Sequence, residues 1–215
     1  MYLTHLSLTN FRAFARLDMD VPRRLVLLVG GNAQGKTSLL ESIYYLATFT
    51  SFHAHADGQL INFLAAREPL AVARITGEYQ RGLTSHKLEV RIIQEATGSN
   101  GSARVRKEVL LDGVKKPLNE AIGHFNAVIF LPHMARIIEG GPEERRRYLN
   151  LALSQATPHY AQALSEYTQA LTQRNALLKQ LQERGGDPDQ LTYWDEVMTR
   201  QGATIIQARI HAVHE

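Results

Sequence analysis

The chain has 215 residues, 44% of them hydrophobic and 21% charged, with a formal net charge of +3. A chain this long can bury roughly 70% of the surface its unfolded form exposes, so the composition excludes a disordered polymer and points to one large or two small domains. Cysteine is absent, which excludes disulfides, thiolate nucleophiles, cysteine-ligated zinc and iron–sulfur clusters. No stretch approaches the ~20 apolar residues that span a bilayer, and the first fifteen residues, with His5, Asn10 and Arg12, lack a signal-peptide core. A cytoplasmic location is the expectation. Residues 1–100 carry 10 basic and 8 acidic side chains and the rest 14 and 13. Charge therefore permits nucleic-acid binding without arguing for it.

The first part of the chain, residues 1–135, reads as strands with few helices. Leu6 and Leu8 alternate with polar neighbours, as in a half-buried strand. Arg24–Val29 (RLVLLV) is almost wholly apolar and predicts a central strand. Glycines follow, and then apolar residues at helical spacing over Leu39–Ala47. Ala71–Ile75, Leu88–Ile93 and Arg104–Leu111 predict further strands. Gly98–Gly101 and Asp112–Gly113 supply turns. Asn126–Leu131 (NAVIFL) predicts one more short strand, stopped by Pro132.

Residues 136–215 read as a helical lobe. Pro142 sits just inside a helix start with Glu143 and Glu144 in its first turn. After Pro158 a second helix is predicted from about His159 to Arg184. Its Tyr160, Leu164, Tyr167, Leu171, Leu178 and Leu181 form a seam, with Arg174 in the remaining seam position, which predicts a short antiparallel hairpin. Gly185–Asp189 makes a tight loop before a third helix containing Trp194, Val197, Met198, Ile205 and Ile206. That helix reaches Glu215 without a C-cap glycine or proline, the pattern of a chain that continues in a longer protein.

Gly30-Gly31-Asn32-Ala33-Gln34-Gly35-Lys36-Thr37 fits G-x-x-x-x-G-K-[ST], followed by Ser38. It joins a predicted strand to an amphipathic helix, the context in which such a loop wraps phosphates with inward N–H groups. Lys36 supplies a point charge for the β- and γ-phosphates, and Thr37 supplies a hydroxyl for Mg²⁺. The implied cofactors are ATP and Mg²⁺. A hydrolase also needs a carboxylate closing another apolar strand. Glu108–Asp112 is the nearest match, but the glycine after Asp112 marks a hairpin turn. His53, His55 and Asp57 lie two apart in a loop with no fourth ligand near, which argues against a metal site. Arg145–Arg147 fits either a phosphate-contacting patch or a solvated helix face. Tyr160, Tyr167 and Trp194 fit a helical core better than base-stacking platforms.

Several blocks resemble the RecF family of bacterial recombinational-repair ATPases, relatives of SMC-type heads. They are Leu6-Ser7-Leu8-Thr9-Asn10-Phe11-Arg12, the Walker A loop with its helix through Tyr44, Gly140 to Leu149, and Tyr167 to Leu178 with its Gln173-Arg174-Asn175. The resemblance covers about the first 60% of such a protein. It implies an α/β fold, a partial ABC-type P-loop head with a mixed sheet, plus the α-helical second lobe. It also implies that Arg12 approaches the nucleotide. Implied partners are single-stranded or gapped DNA, recombination mediator proteins and a second head in a homodimer, with ATP acting in a DNA clamp or loading factor. The family's signature and Walker B elements lie outside these 215 residues, so this chain is expected to bind ATP without hydrolysing it. Leu131-Pro132-His133-Met134 and Ser51-Phe52-His53 depart from the family pattern, in a linker acidic pair and in a basic contact. The alternatives are a P-loop kinase of small molecules and a structural head fragment working in trans.

Overall fold

The computed structural model describes residues 1–97, 102–131 and 139–214. They fall into two compact units, Met1–Ile129 and Phe130–Glu215. In chain order the first unit holds β1 (Tyr2–Phe11), β2 (Phe14–Asp20), α1 (Lys36–Thr48), β3 (Leu70–Arg81), β4 (Thr84–Thr97), β5 (Ser102–Leu111), β6 (Val114–Lys116) and the single turn α2 (Leu118–Ala121). One six-stranded sheet runs in the order β2-β1-β3-β4-β5-β6. Every described ladder is antiparallel, so any parallel pairing that makes the sheet mixed lies outside them.

Period-two alternation makes one sheet face apolar. Leu6, Leu8, Ala73, Ile75, Leu88, Val90, Ile92 and Val109 are buried there. The helix α1 covers this face with Leu39, Tyr45, Leu46 and Ala47. Gly77 on β3 permits the close approach, because a Cβ there would stand 2.8 Å from Leu46 Cδ1. Asp112–Gly113 forms the expected β5–β6 turn, with Asp112 in the left-handed region at φ 50°. The turn expected at Gly98–Gly101 lies outside the described residues.

Two expected strands do not form ladders. Arg24–Val29 enters no ladder among the described residues: Arg24 is left-handed at φ 85°, and Leu25, Leu27 and Val29 are 90%, 82% and 82% exposed. Its alternate residue Leu28 packs on the core. Asn126–Leu131 likewise forms no strand ladder among the described residues: Ala127 packs inward while Val128 and Phe130 are exposed.

The second unit contains α3 (Pro142–Ala156), α4 (Tyr160–Arg184) and α5 (Thr192–His214). The hairpin of α4 and α5 is tied by Arg174 to Asp195 and by Gln201 to Glu166. Tyr160, Ala163, Ala170 and Ile205 are buried, Tyr167 packs against them, and Trp194 is half-buried. Tyr160, Leu164, Tyr167 and Arg174 take up the expected seam, while Leu171 and Leu178 are over a third exposed and the buried Ala163 and Ala170 lie beside it.

On the open sheet face, the His5 ring is bonded to Asp20 at 2.8 Å and to Asp18 at 2.9 Å. The bonds to Asp20 and then Asp18 raise the His5 pKa above its ordinary 6.5, and the His5 bond lowers the Asp18 pKa below 3.8. A raised histidine pKa stabilises the fold fully below the unfolded value and less as pH rises through the folded one. The lowered Asp18 contributes above its unfolded value and less as pH falls through the folded one. The β1–β2 pairing is therefore strongest between about pH 4 and pH 6.5. Asp20→Asn is expected to lower the His5 pKa and flatten the loss of stability above that window. Imidazole NMR titration, with urea unfolding at matched pH, checks both.

Candidate functional site

The loop Gly30–Ser38 is built from backbone conformations that few residues tolerate. Gly30 has φ 154°, Ala33 62° and Gly35 86°. Gly35 is the N-cap of α1, where no side chain caps the helix and no acidic residue occupies the first turn. The Leu39 N–H closes the first helical bond to the Gly35 carbonyl at 2.9 Å. The preceding N–H groups of Lys36, Thr37 and Ser38 are thus the helix's own orphan donors, at its positive end. Lys36 Nζ donates to the Gly30 carbonyl at 2.8 Å and to the Gly31 carbonyl. Asn32, Ala33, Gln34 and Thr37 are exposed, and Ser38 is half-buried. A cation bridging two loop carbonyls beside uncapped N–H groups is a site built for an anion.

Gly35 has a second reason to be glycine. The Phe14 ring of β2 lies so close that a Cβ on Gly35 would stand 2.7 Å from Phe14 Cζ. The turn between β1 and β2 therefore abuts the end of the phosphate loop. That turn is tight, since Phe11 faces Phe14 across it. Both Asn10 (φ 50°) and Arg12 (φ 51°) are left-handed. The segment Leu60–Asn62 holds it in place: Arg12 N–H donates to the Leu60 carbonyl at 2.8 Å, Asn62 Nδ2 to the Arg12 carbonyl at 2.7 Å, and Asn62 N–H to the Asn10 carbonyl at 2.7 Å.

The Arg12 side chain, the one expected site residue outside the loop, meets a carboxylate that the sequence reading missed. Its Nε donates to Glu41 Oε2 and its Nη2 to Glu41 Oε1, both at 2.8 Å, and its Nη1 donates to the Gln59 carbonyl at 3.0 Å. Glu41 is on α1, five residues after Lys36, and is 2% exposed. Ser51 Oγ donates to the same carboxylate and accepts the N–H groups of His53 and Ala54. Helical spacing was the available signal. Glu41 shares its face with Ser42 and Tyr45, so a carboxylate there required a buried counter-charge.

Other candidates have structural partners. Tyr45 donates to Asp57 at 2.7 Å, and Lys107 pairs with Asp57 at 3.0 Å. Burial, with the Asp57 bond adding to it, pushes the Tyr45 phenol far up, so it remains a donor. The departure at Ser51-Phe52-His53 thus forms a polar turn against Glu41. Asp112 is not a magnesium-orienting residue. One oxygen pairs with His86 at 2.8 Å and the other accepts the Lys87 N–H at 2.7 Å. Burial acts to raise the Asp112 pKa, but these two bonds outweigh it and the carboxyl titrates below its ordinary range. Across the sheet Leu111 faces Leu88, Leu88 faces Gly77 and Gly77 faces Leu6, so Asp112, one residue further on, lies about 20 Å along the strands from Phe11. Among the described residues no group of three or more His, Asp or Glu side chains is arranged to hold a metal. Arg145–Arg147 is exposed near the start of α3, where Arg145 caps the Gly140 carbonyl and Glu144 accepts the Gly141 N–H. Pro132, His133 and Met134 lie outside the described residues.

The chain matches the AAA ATPase domain family over residues 1–184. It is 37% identical to the "DNA replication and repair protein RecF" of Roseiflexus castenholzii, over 99% of this chain and 56% of that protein. It is 36% identical to the protein of the same name from Lacticaseibacillus casei, over 97% of this chain and 53% of that one. A solved structure of the recombination mediator protein RecF with ATP, of the RecFOR pathway, superimposes with a TM-score of 0.82 at 32% identity, covering 99% of this chain and 54% of the other. The SMC head domain of Pyrococcus furiosus shares the fold, with a TM-score of 0.50 at 16% identity over 98% of this chain and 57% of that one. The chain thus spans about half the length of the relatives it matches.

Gly35→Ala introduces both a left-handed alanine and a clash with Phe14. It is expected to destabilise the first unit by about 1–3 kcal/mol. The double variant Phe14→Ala/Gly35→Ala should relieve the clash and leave the backbone strain. Urea unfolding of the two variants and Phe14→Ala alone measures that coupling.

Proposed function

Because the chain belongs to the AAA ATPase domain family and aligns along its whole length with the N-terminal portion of RecF proteins, we propose that it binds ATP with Mg²⁺ on Gly30–Ser38, as the nucleotide-binding portion of a DNA replication and repair protein. The observation that carries this is Lys36, drawn across the loop to the Gly30 and Gly31 carbonyls at the uncapped start of α1.

A triphosphate competes with those carbonyls for Lys36, offering a charged acceptor in place of neutral ones. The orphan N–H groups at the start of α1 take phosphate oxygens, and the Thr37 hydroxyl faces the cation. Thr37 would help hold Mg²⁺, which would supply positive charge against the phosphates. These contacts hold the ground state. Among the described residues none supplies a strand-end carboxylate beside the loop, and this reading assigns the orientation of water for hydrolysis to the part of the longer protein beyond this chain. Hydrolysis then belongs to the longer protein, where it is slow and times release from DNA.

The same reading makes single-stranded or gapped DNA, recombination mediator proteins and a second head the partners of that protein, acting as an ATP-dependent clamp or loading factor in the cytoplasm. No helix among the described residues is long and apolar enough to cross a membrane. The exposed, strand-like segments Leu25–Val29 and Val128–Phe130 support a head completed by further strands.

Calorimetric titration with Mg·ATP tests the assignment. Lys36→Ala should weaken binding by at least about tenfold, the scale of one charge-assisted hydrogen bond. Equal affinities for the folded wild type and the Lys36→Ala variant would refute it.

A further inference from the structure

The pair of Arg12 and Glu41 is more elaborate than stability requires. Burying an ion pair costs desolvation that its Coulombic attraction often fails to recover, and an apolar pair of similar volume commonly does as well. Here the carboxylate is 2% exposed and the arginine side chain 25%. The pair fixes geometry. Two parallel bonds from the Nε and Nη2 edge leave a guanidinium a single orientation. The backbone of the same residue is held in the left-handed region through its own N–H and carbonyl. Such strain persists only where the surroundings over-determine it.

The network also has a direction. Glu41 stands about 7.5 Å along the helix from Lys36. Two residues beyond Arg12, Phe14 rests on Gly35. The start of β2 and the β1–β2 turn thus grip the helix of the phosphate loop at its N-cap and again in its second turn. Of the five N–H donors of Arg12, two go to Glu41 and one to the Gln59 carbonyl. Two remain without a partner among the described residues, on a side chain that is 25% exposed.

We infer that Glu41 is a positioning residue of the nucleotide site: it holds Arg12 in one orientation beside the phosphate loop, so that the two remaining donors meet a phosphate of the bound nucleotide. Through Ser51 it fixes the 51–54 turn to the same helix. The inference rests on the assignment of Gly30–Ser38 to the nucleotide. It goes beyond that assignment in giving a role to a carboxylate that touches no ligand.

The test is a double-mutant cycle read by Mg·ATP calorimetry on the 215-residue chain, with Lys36→Ala as reference and circular dichroism to establish folding. Glu41→Gln keeps the shape and removes the charge, and is expected to weaken ATP binding about tenfold. Arg12→Ala is expected to weaken it similarly. Combining the two should cost no more than Arg12→Ala alone, because Glu41 acts only through Arg12. A merely structural Glu41 would impose its loss in both backgrounds, and additive losses would overturn the inference. So would unchanged affinity in Glu41→Gln or in Arg12→Ala. If Glu41→Gln does not fold, Arg12→Lys replaces the fork by a point charge with Glu41 intact, and full affinity in that variant overturns the inference equally. If Lys36→Ala binds ATP like the wild type, the nucleotide assignment itself fails. If Lys36→Ala alone loses binding, the loop assignment stands and only the role of Glu41 falls.

Discussion

A carboxylate removed from water must find its counter-charge, and the way Glu41 does so organises the nucleotide end of the first unit. The demand reaches into three separate pieces of chain: the β1–β2 turn through Arg12, the helix α1 that carries Glu41, and the turn after α1 through Ser51. Apolar contacts join the same pieces, with Phe11 in one core cluster with α1 and the Tyr44 ring 5.6 Å from that of Phe52. Directional, charge-assisted bonds add to this packing, and they define angles that packing leaves loose. The cost is a residue in a left-handed conformation on each side of Phe11. Phe11 itself is fully buried, so the turn is anchored in the core by an apolar side chain and aimed by polar ones.

The loop beside it follows the opposite logic. Where Glu41 is saturated, the first turn of α1 is left unsatisfied among the described residues: no capping side chain, no acidic residue, and a lysine bonded to neutral carbonyls. A helix start in an ordinary surface setting gains about 1 kcal/mol from a Ser, Thr, Asp or Asn cap. Gly35 forgoes that gain, and its missing side chain leaves room for Phe14 on one side and for a ligand on the other. The far end of α1 is finished in the usual way, with Lys107 donating to the Phe49 carbonyl and so satisfying the negative end of the helix. One helix thus has a completed end and an end that a phosphate completes.

What was legible in the sequence follows from how local each constraint is. The phosphate loop, the helix after it and the Asp112–Gly113 turn are dictated by residues within a few positions of one another, and all three form where expected. Glu41 was hidden because a helical wheel shows which face a residue shares but not which distant arginine answers it. The strand β2 escaped notice for another reason. Phe14–Asp20 is a short edge strand with three charged residues among seven, and its alternation, Leu17 and Met19 packing on the core between Arg16, Asp18 and Asp20, spans too few residues to stand out. The helical seam was legible in its first half, where Tyr160, Leu164 and Tyr167 lie in the helical core, whereas the buried Ala163 and Ala170 are too small to stand out in a hydrophobic pattern.

The failed strand predictions carry the most physical information. Leu25, Leu27 and Val29 face solvent while Leu28 faces the core, and Val128 and Phe130 do likewise beside Ala127. A sequence that alternates so strongly and yet leaves three large apolar side chains over 80% exposed on one short segment is patterned for a surface it does not meet among the described residues. Apolar edges of this kind are what folded proteins cover or charge to avoid self-association. The relatives that match this chain extend over nearly twice its length, and a strand added to either segment would convert the exposed row into a second core face. The phosphate loop leaves directly from one of these two segments. Burying Leu25, Leu27 and Val29 would therefore also remove freedom from the chain that delivers Gly30. That couples completion of the sheet to the rigidity of the nucleotide site through six residues of backbone.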